Sequence, residues 1–379
     1  MKLGIFFASK KEKGGVYQYS LILTNALRKT CFKNSLFIFP SKDTFKEERG
    51  VRFLKIRQYL GGLYDNLLRP FLKINFRRQD YLDVDLMIYP APTTTCLQQK
   101  TPYIVCVHDL QHRINPQFPE VSQKGEWRQR EFLYKSCLKR ASIVIVESEA
   151  GKRQIQKFYK TPSSKIAVLP YIPPPYLTTR ISSDFLKKIR KRYSLPKKYI
   201  FYPAQFWPHK NHKTIIKSLA ILKEQGLDTK AVFVGGKMEQ WGEYQRVMKL
   251  SNKLKMRRQI KYLGYVSNKE MIALYKMATC LVMPTFFGPS NIPPLEAFYL
   301  GCPVITSNIN SIKEQVGRAA ILIDPTDEEE LAEAILRIYK NPKLRSKLKK
   351  AGYKKIKGWT IKDFSKKLEQ IIKRAKEKL

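Results

Sequence analysis

Four histidines fall in two short segments, His108 and His112 in VHDLQHR, His209 and His212 in FYPAQFWPHKNHK. Imidazole titrates nearest neutral pH and can serve as acid, base or metal ligand. Neither pair has acidic or cysteine neighbours at a spacing that completes a zinc site, so a metal centre is not expected. Lys210 lies within the second segment and adds a cation there. Gly14-Gly15 and Gly235-Gly236 each follow an apolar run. Glycine lets a backbone approach a phosphate closely, and a helix N-terminus beside it offers unpaired N–H groups, although Gly-Gly is also an ordinary turn. The richest segment is PTFFGPSNIPPLEAFYLGCPVITSN, residues 284–308. Pro293-Pro294 suit the start of a helix, which places Glu296 in the first turn. A carboxylate there either answers the helix dipole or accepts from ligand hydroxyls, with N–H groups nearby for phosphate. Together these residues suit a phosphorylated, hydroxyl-rich ligand.

The elements that must hold them alternate in type. Strand-like runs in the first half are LGIFFAS, SLFIFP, DLMIYPA, YIVCVHD and SIVIVES; in the second they are YIFYPA, AVFVGG, IKYLGY, CLVMPT and PVITSN. Amphipathic stretches lie between them, such as 17–29, 126–140, 213–224 and 327–340. Such alternation predicts an α/β chain with parallel sheets covered on both faces. Ligands then bind outside the carboxyl ends of the strands, where the histidine and glycine segments lie. Asp83-Val84-Asp85 has the look of an Asp-x-Asp metal pair but precedes DLMIYPA, at the amino end of a strand, and reads as ordinary strand-leading polarity.

A chain of 379 residues with 43% hydrophobic and 12% aromatic content can build two cores. No stretch reaches the roughly 20 apolar residues of a membrane span, and the N-terminus reads as a first buried strand, not a signal peptide. The six cysteines form no C-x-x-C pair and suit buried thiols in a reducing cytosol. The net charge of +41 suits polyanions: nucleic acid, anionic lipid or phosphorylated substrate. Three consecutive prolines, Pro173 to Pro175, cannot continue a helix or a central strand and mark a boundary. The expected units are 1–175 and 176–359, each a strand-helix α/β unit, and 360–379, one more amphipathic helix.

In their order, KGGVYQYSLIL, VHDLQHR, PAQFWPHKNHK and FGPSNIPPLEA resemble glycosyltransferase family 4, retaining enzymes of the GT-B fold. The resemblance runs over nearly the whole chain and is strongest over 201–325. It implies two Rossmann-like domains facing each other across a cleft, an acceptor-binding one over 1–175 and a nucleotide-sugar-binding one over 176–359, with the helix of 360–379 packing back toward the first. Position by position it implies that Gly14 and Gly15 approach the donor diphosphate, His108 lies beside the transferred sugar, Lys210 neutralises the leaving diphosphate and Glu296 holds the nucleotide ribose. His108, Lys210 and Glu296 are the expected catalytic set. The nucleotide sugar is expected to meet Gly14, Gly15, Gln205, Gly235, Gly236, Ser290, Asn291, Ile292 and Glu296. The first glutamate of the family's pair is replaced by Gly288, and its arginine falls at Gln205; Ser290, Asn291 or backbone N–H groups are the expected substitutes.

The resulting expectation is a metal-independent hexosyltransferase with no cofactor, a GDP- or UDP-sugar donor (mannose favoured by the motif wording) and a glycan or lipid-linked acceptor in surface polysaccharide or glycolipid assembly. A sugar-nucleotide epimerase or a phosphorylase shares the architecture. A nucleic-acid-binding protein would explain the charge, but no recognition motif supports it and no nucleic acid is expected. Residues 52–78, RFLKIRQYLGGLYDNLLRPFLKINFRR, mix Arg69, Lys73 and Arg77 with Leu60, Leu63, Leu67 and Phe71. Such a segment can lie in a bilayer interface, which predicts peripheral attachment to an anionic inner membrane face from the cytoplasm.

Overall fold

The structure, a computed structural model, describes residues 1–7, 14–40, 52–53, 84–98, 100–288 and 291–377. Its first half contains strands β1 (Leu3–Phe7), β2 (Leu36–Pro40), β3 (Arg52–Phe53), β4 (Leu86–Tyr89), β5 (Tyr103–Cys106), β6 (Ile143–Val146) and β7 (Ile166–Val168). Its second half contains β8 (Ile200–Pro203), β9 (Ala231–Val234), β10 (Ile260–Tyr262), β11 (Cys280–Met283), β12 (Val304–Ser307) and β13 (Ala320–Ile323). They form two sheets, ordered β3-β2-β1-β4-β5-β6-β7 and β10-β9-β8-β11-β12-β13. Every pairing is parallel, for example Ile5 against Ile38 and Ile88, and Val282 against Ile305.

The central strands are apolar throughout because helices cover both of their faces. LMIY, YIVC, IVIV, AVFV and CLVM are buried at every position. Three strands go beyond the sequence reading: β3 and β7 are only two and three residues long, and β13, apolar throughout, is mostly half-buried. Strand order reverses beside β1 in the first sheet and beside β8 in the second. The crevice at each reversal is where open α/β sheets bind ligands.

The first sheet is covered on one side by helix Gly15–Leu27 and, from the far end of the chain, by helix Ile361–Lys376. The latter inserts Phe364, Leu368, Ile371, Ile372 and Ala375 into the core that holds Ile5, Ile22 and Ile104. Thr360 and Asp363 start this last helix with a capping box. The Trp359 indole donates to the Pro170 carbonyl at 2.9 Å and ties the returning chain to the connection between the halves. Among the described residues no helix is long and apolar enough to cross a membrane. Most of the segment 52–78 lies outside the described residues, as does Asp83. Asp85 is tied at the amino end of β4, where its carboxylate accepts from the Lys2 backbone N–H at 2.7 Å.

Candidate active site in the interdomain cleft

On the first wall of the cleft, β5 runs into His108-Asp109 and β6 into Glu147-Ser148. His108 Nε2 lies 2.7 Å from the Pro90 carbonyl oxygen, which can only accept. Its Nδ1 lies 2.5 Å from Glu147 and 2.7 Å from the Tyr171 hydroxyl, which itself donates to Glu147 at 2.8 Å. Tyr19 packs edge-on against the imidazole, centroids 5.0 Å apart. Burial opposes a charge on His108, but the Glu147 carboxylate outweighs it and the pKa is raised. Asp109 is half-buried, and desolvation opposes its charge, yet its pair with Arg130, at 2.9 Å, holds its carboxyl below the usual range.

The second wall is the stretch after β8. Gln205 accepts from the Trp207 indole at 2.8 Å and donates to the Tyr265 hydroxyl at 2.6 Å. The Lys210 backbone is fixed at both ends: its N–H donates to Trp207 at 2.9 Å, and its carbonyl accepts from the Tyr202 hydroxyl at 2.8 Å. The side chain is half-buried. Burial lowers its pKa to about 8, although Asp109 and Glu120 pull the other way. Among the described residues its ammonium makes no ion pair, so this is a partly desolvated cation whose charge an anion would neutralise.

The remaining histidines correct the sequence reading, which placed both clusters on ligand-facing loops. His112 is fully buried against Trp127 and Tyr134 and bonds Glu131 and Tyr159. His212 is equally buried and stacks on Phe206 at 4.1 Å, with burial depressing its pKa to about 3. His112 is the second residue of the short helix Gln111–Ile114 and His212 the first of helix His212–Glu224, and both turn inward onto aromatic rings. His209 joins the two halves, stacked on Phe287 and bonded to Glu120. Among the described residues no group of three or more potential ligands could hold a metal.

Helix Ile292–Leu300 begins with Asn291 as its N-cap. Glu296 is therefore its fifth residue, beyond the first turn where the sequence reading placed it, so the capping role lapses. It is buried, and its two oxygens accept from Tyr176 and Tyr275, each at 2.7 Å. Burial raises its pKa, and the two phenols counter this. The Asn291 N–H is bonded to Gln315 at 3.0 Å, and Pro293 and Pro294 have none. Of the first-turn donors this leaves the Ile292 N–H to face a ligand. Gly288 has φ of 139°, and a Cβ there would come within 2.7 Å of the Asn291 side chain, so a glutamate does not fit this backbone. Ser290 lies outside the described residues.

The glycine pairs differ. Gly14 has φ of 59°, and among the described residues a Cβ on Gly14 or Gly15, at the start of helix Gly15–Leu27, would meet nothing within 4 Å. Gly235 and Gly236 are instead pressed against neighbouring loops: a Cβ would come within 2.6 Å of the Ala204 carbonyl and 2.8 Å of the Tyr265 hydroxyl. They let the loops after β8, β9 and β10 pack together. Glu147, Tyr171, Glu120, Tyr176 and Tyr275 escaped the sequence reading. Only Glu147, a lone carboxylate closing the apolar strand SIVIVES, carried a signal that could have found it. Glu147 and Tyr171 also line a cavity of about 240 Å³ between the halves, with Gln315, Lys355 and Trp359.

Residues 186–355 match the family model described as Glycosyl transferases group 1, and residues 13–171 match Glycosyltransferase Family 4. The chain is 26% identical to the O-antigen chain mannosyltransferase RfbU of Salmonella typhimurium, covering 88% of this chain and 89% of that protein. It is also 26% identical to the O-antigen chain mannosyltransferase B of Escherichia coli, over 58% of this chain and 57% of the other. Among solved structures it resembles the sucrose-phosphate synthase from Thermosynechococcus elongatus with a TM-score of 0.75 and 17% identity, covering 100% of both chains.

Proposed function

The chain belongs to glycosyltransferase family 4, an enzyme of the GT-B fold, and on that premise we propose that it is a retaining, metal-independent transferase that moves mannose from a GDP- or UDP-sugar to a glycan or lipid-linked acceptor. The observation that carries this reading is Lys210, a partly desolvated cation beside the Glu120–His209 contact that has no ion pair among the described residues. In the first half, Gly14 and Gly15 have no described neighbour within 4 Å of a Cβ, which supports their reading as backbone that a diphosphate can approach. Mannose is favoured by the two O-antigen mannosyltransferases among the relatives.

In the reaction, the bond between the sugar's anomeric carbon and the phosphate oxygen breaks, and the departing diphosphate gathers negative charge. Lys210 and the Ile292 N–H would stabilise that charge where it develops. Glu296 would accept from the ribose hydroxyls, with Tyr176 and Tyr275 keeping its carboxylate oriented. His108, held by Pro90 and Glu147, would present a fixed ring beside the sugar. The acceptor hydroxyl attacks from the face the phosphate leaves, and its proton passes to the departing phosphate oxygen. A covalent route would need a free carboxylate near the anomeric carbon. The described carboxylates around the cleft are engaged: Asp109 with Arg130, Glu147 with His108, Glu296 with two phenols, Glu314 with the Glu149 and Ala150 N–H groups, and Glu120, through one oxygen, with His209. That commitment supports the same-face route.

We place the enzyme at a cytoplasmic, anionic membrane surface; the charge of +41 supports this, and the segment 52–78 is the expected contact. Thermal stabilisation by a panel of GDP- and UDP-sugars, followed by transfer assays with the best donors in excess EDTA, tests the reading. Stabilisation by GDP-mannose and EDTA-resistant transfer with a retained anomeric configuration is the expected result. Transfer that requires manganese, or an inverted product, refutes it.

A further inference from the structure

His108 is held through both nitrogens of its ring. Pro90 offers only a carbonyl oxygen at 2.7 Å, so Nε2 must carry a hydrogen. On the other side, Tyr171 gives its proton to Glu147 at 2.8 Å, which leaves the phenol oxygen as an acceptor toward Nδ1. Glu147, 2.5 Å from Nδ1, is an acceptor as well. Both ring nitrogens are then donors, and the ring is an imidazolium.

We propose that Glu147 is a positioning residue for the transfer, fixing His108 as a doubly protonated ring beside the cavity that Glu147 and Tyr171 line, with Tyr171 holding the pair together. Glu147 comes from the end of β6, His108 from the end of β5 and Tyr171 from the connection between the halves, so the three close one corner of the cleft. The other groups facing His108 are Tyr19 from helix Gly15–Leu27, the Pro90 carbonyl after β4, and the neighbouring Asp109, which is neutralised by Arg130. Glu147 is therefore the carboxylate that sets the charge of the ring. An imidazolium so tied cannot shuttle a proton. It serves as a fixed donor and a fixed positive charge, which excludes His108 as a general base and agrees with the leaving phosphate taking the acceptor's proton.

The kinetic part of this proposal rests on the transferase reading, but its first test does not. In protein carrying carbon-13-labelled histidine, the His108 ring is assigned by its loss in His108→Ala and titrated without substrates. It should titrate above the ordinary 6.5. In Glu147→Gln the midpoint should fall by about one unit or more, the usual effect of removing one adjacent opposite charge. Tyr171→Phe should move it less. An unmoved titration in a Glu147→Gln protein that melts like the parent overturns the proposal. In turnover, Glu147→Gln should lower kcat by up to about 10²-fold, the scale of a misplaced reacting group, with donor KM little changed. The alkaline limb of kcat should move toward acid, because the ring now loses its proton at lower pH, and Glu147→Asp should restore part of the rate. A kcat loss with the limb unmoved would mean that Glu147 only supports the fold, and would also overturn the proposal. With the titration shifted but no transfer by the unaltered protein from any donor, the function proposed above fails, and the hold on His108 stands.

Discussion

Glu120, in the first half of the chain, accepts two hydrogen bonds from His209 in the second: the backbone N–H at 2.9 Å and Nδ1 at 2.5 Å. Phe118, two residues earlier, packs against Phe286 and Phe287, with centroids 5.3 Å from each. This clasp lies next to Lys210 in sequence and spans the cleft. Glu120→Ala leaves the buried His209 nitrogen unpaired, at a cost of about 1–3 kcal/mol. The expected outcome is a lower melting temperature and a larger radius of gyration by small-angle scattering. An unchanged radius would mean that the aromatic contacts alone hold the halves together.

Lys210 should take up a proton when the donor binds. Its pKa is about 8 in the free protein, and a diphosphate beside it raises that value. Donor affinity should therefore be full below pH 8 and weaken as pH rises above it. Calorimetry at pH 8 in buffers of different ionisation enthalpy should show net proton uptake, which Lys210→Met abolishes. Lys210→Ala should lower kcat more than donor affinity, by on the order of 3 kcal/mol in the barrier, since the charge it meets grows during cleavage.

Glu296→Ala should weaken nucleotide binding and turnover together, by about 1.5–3 kcal/mol for a hydrogen bond to a charged group. The substitution also strips Tyr176 and Tyr275 of their acceptor, so affinity must be measured well below the melting temperature. Nucleotide affinity equal to that of the parent would reduce Glu296 to an anchor for the two tyrosines.

Restoring the family's first glutamate by Gly288→Glu should not raise activity. The backbone there has φ of 139°, and the Asn291 side chain occupies the space a Cβ would need. Such strain costs of the order of 1–3 kcal/mol. We expect lower stability and lower turnover, with Asn291→Gly relieving the contact but not the dihedral strain. A more active Gly288→Glu enzyme would show that this loop adopts another path when it works.

Liposome flotation checks the membrane placement. Binding should require anionic lipid and fall as salt approaches half-molar, where the Debye length is only a few ångströms. Neutralising Arg69, Lys73, Arg77 and Arg78 together should weaken it. Equal flotation with neutral vesicles, or none with either, would assign the charge of +41 to another purpose.

The sequence by itself determined the elements and the ends at which chemistry is found. Buried parallel strands must be apolar on both faces, so β1, β4, β5, β6, β8, β9 and β11 stand out as uninterrupted runs. The polar residues that end them must then lie at the ligand side. Glu126–Arg140 is set off by Gly125 and by Ala141, and reads at its true length. The tertiary structure alone decided what those polar residues meet. Nothing in VHDLQHR distinguishes His108, tied to Glu147 thirty-nine positions away, from His112, buried under Trp127 and Tyr134. The partners of Glu296 come from the interdomain connection and from helix Asn268–Met277. Periodicity reports which face of an element is buried, because burial repeats with the backbone. A hydrogen bond between residues on different strands leaves no period in the chain, and it forms only once the sheet order has brought their ends together.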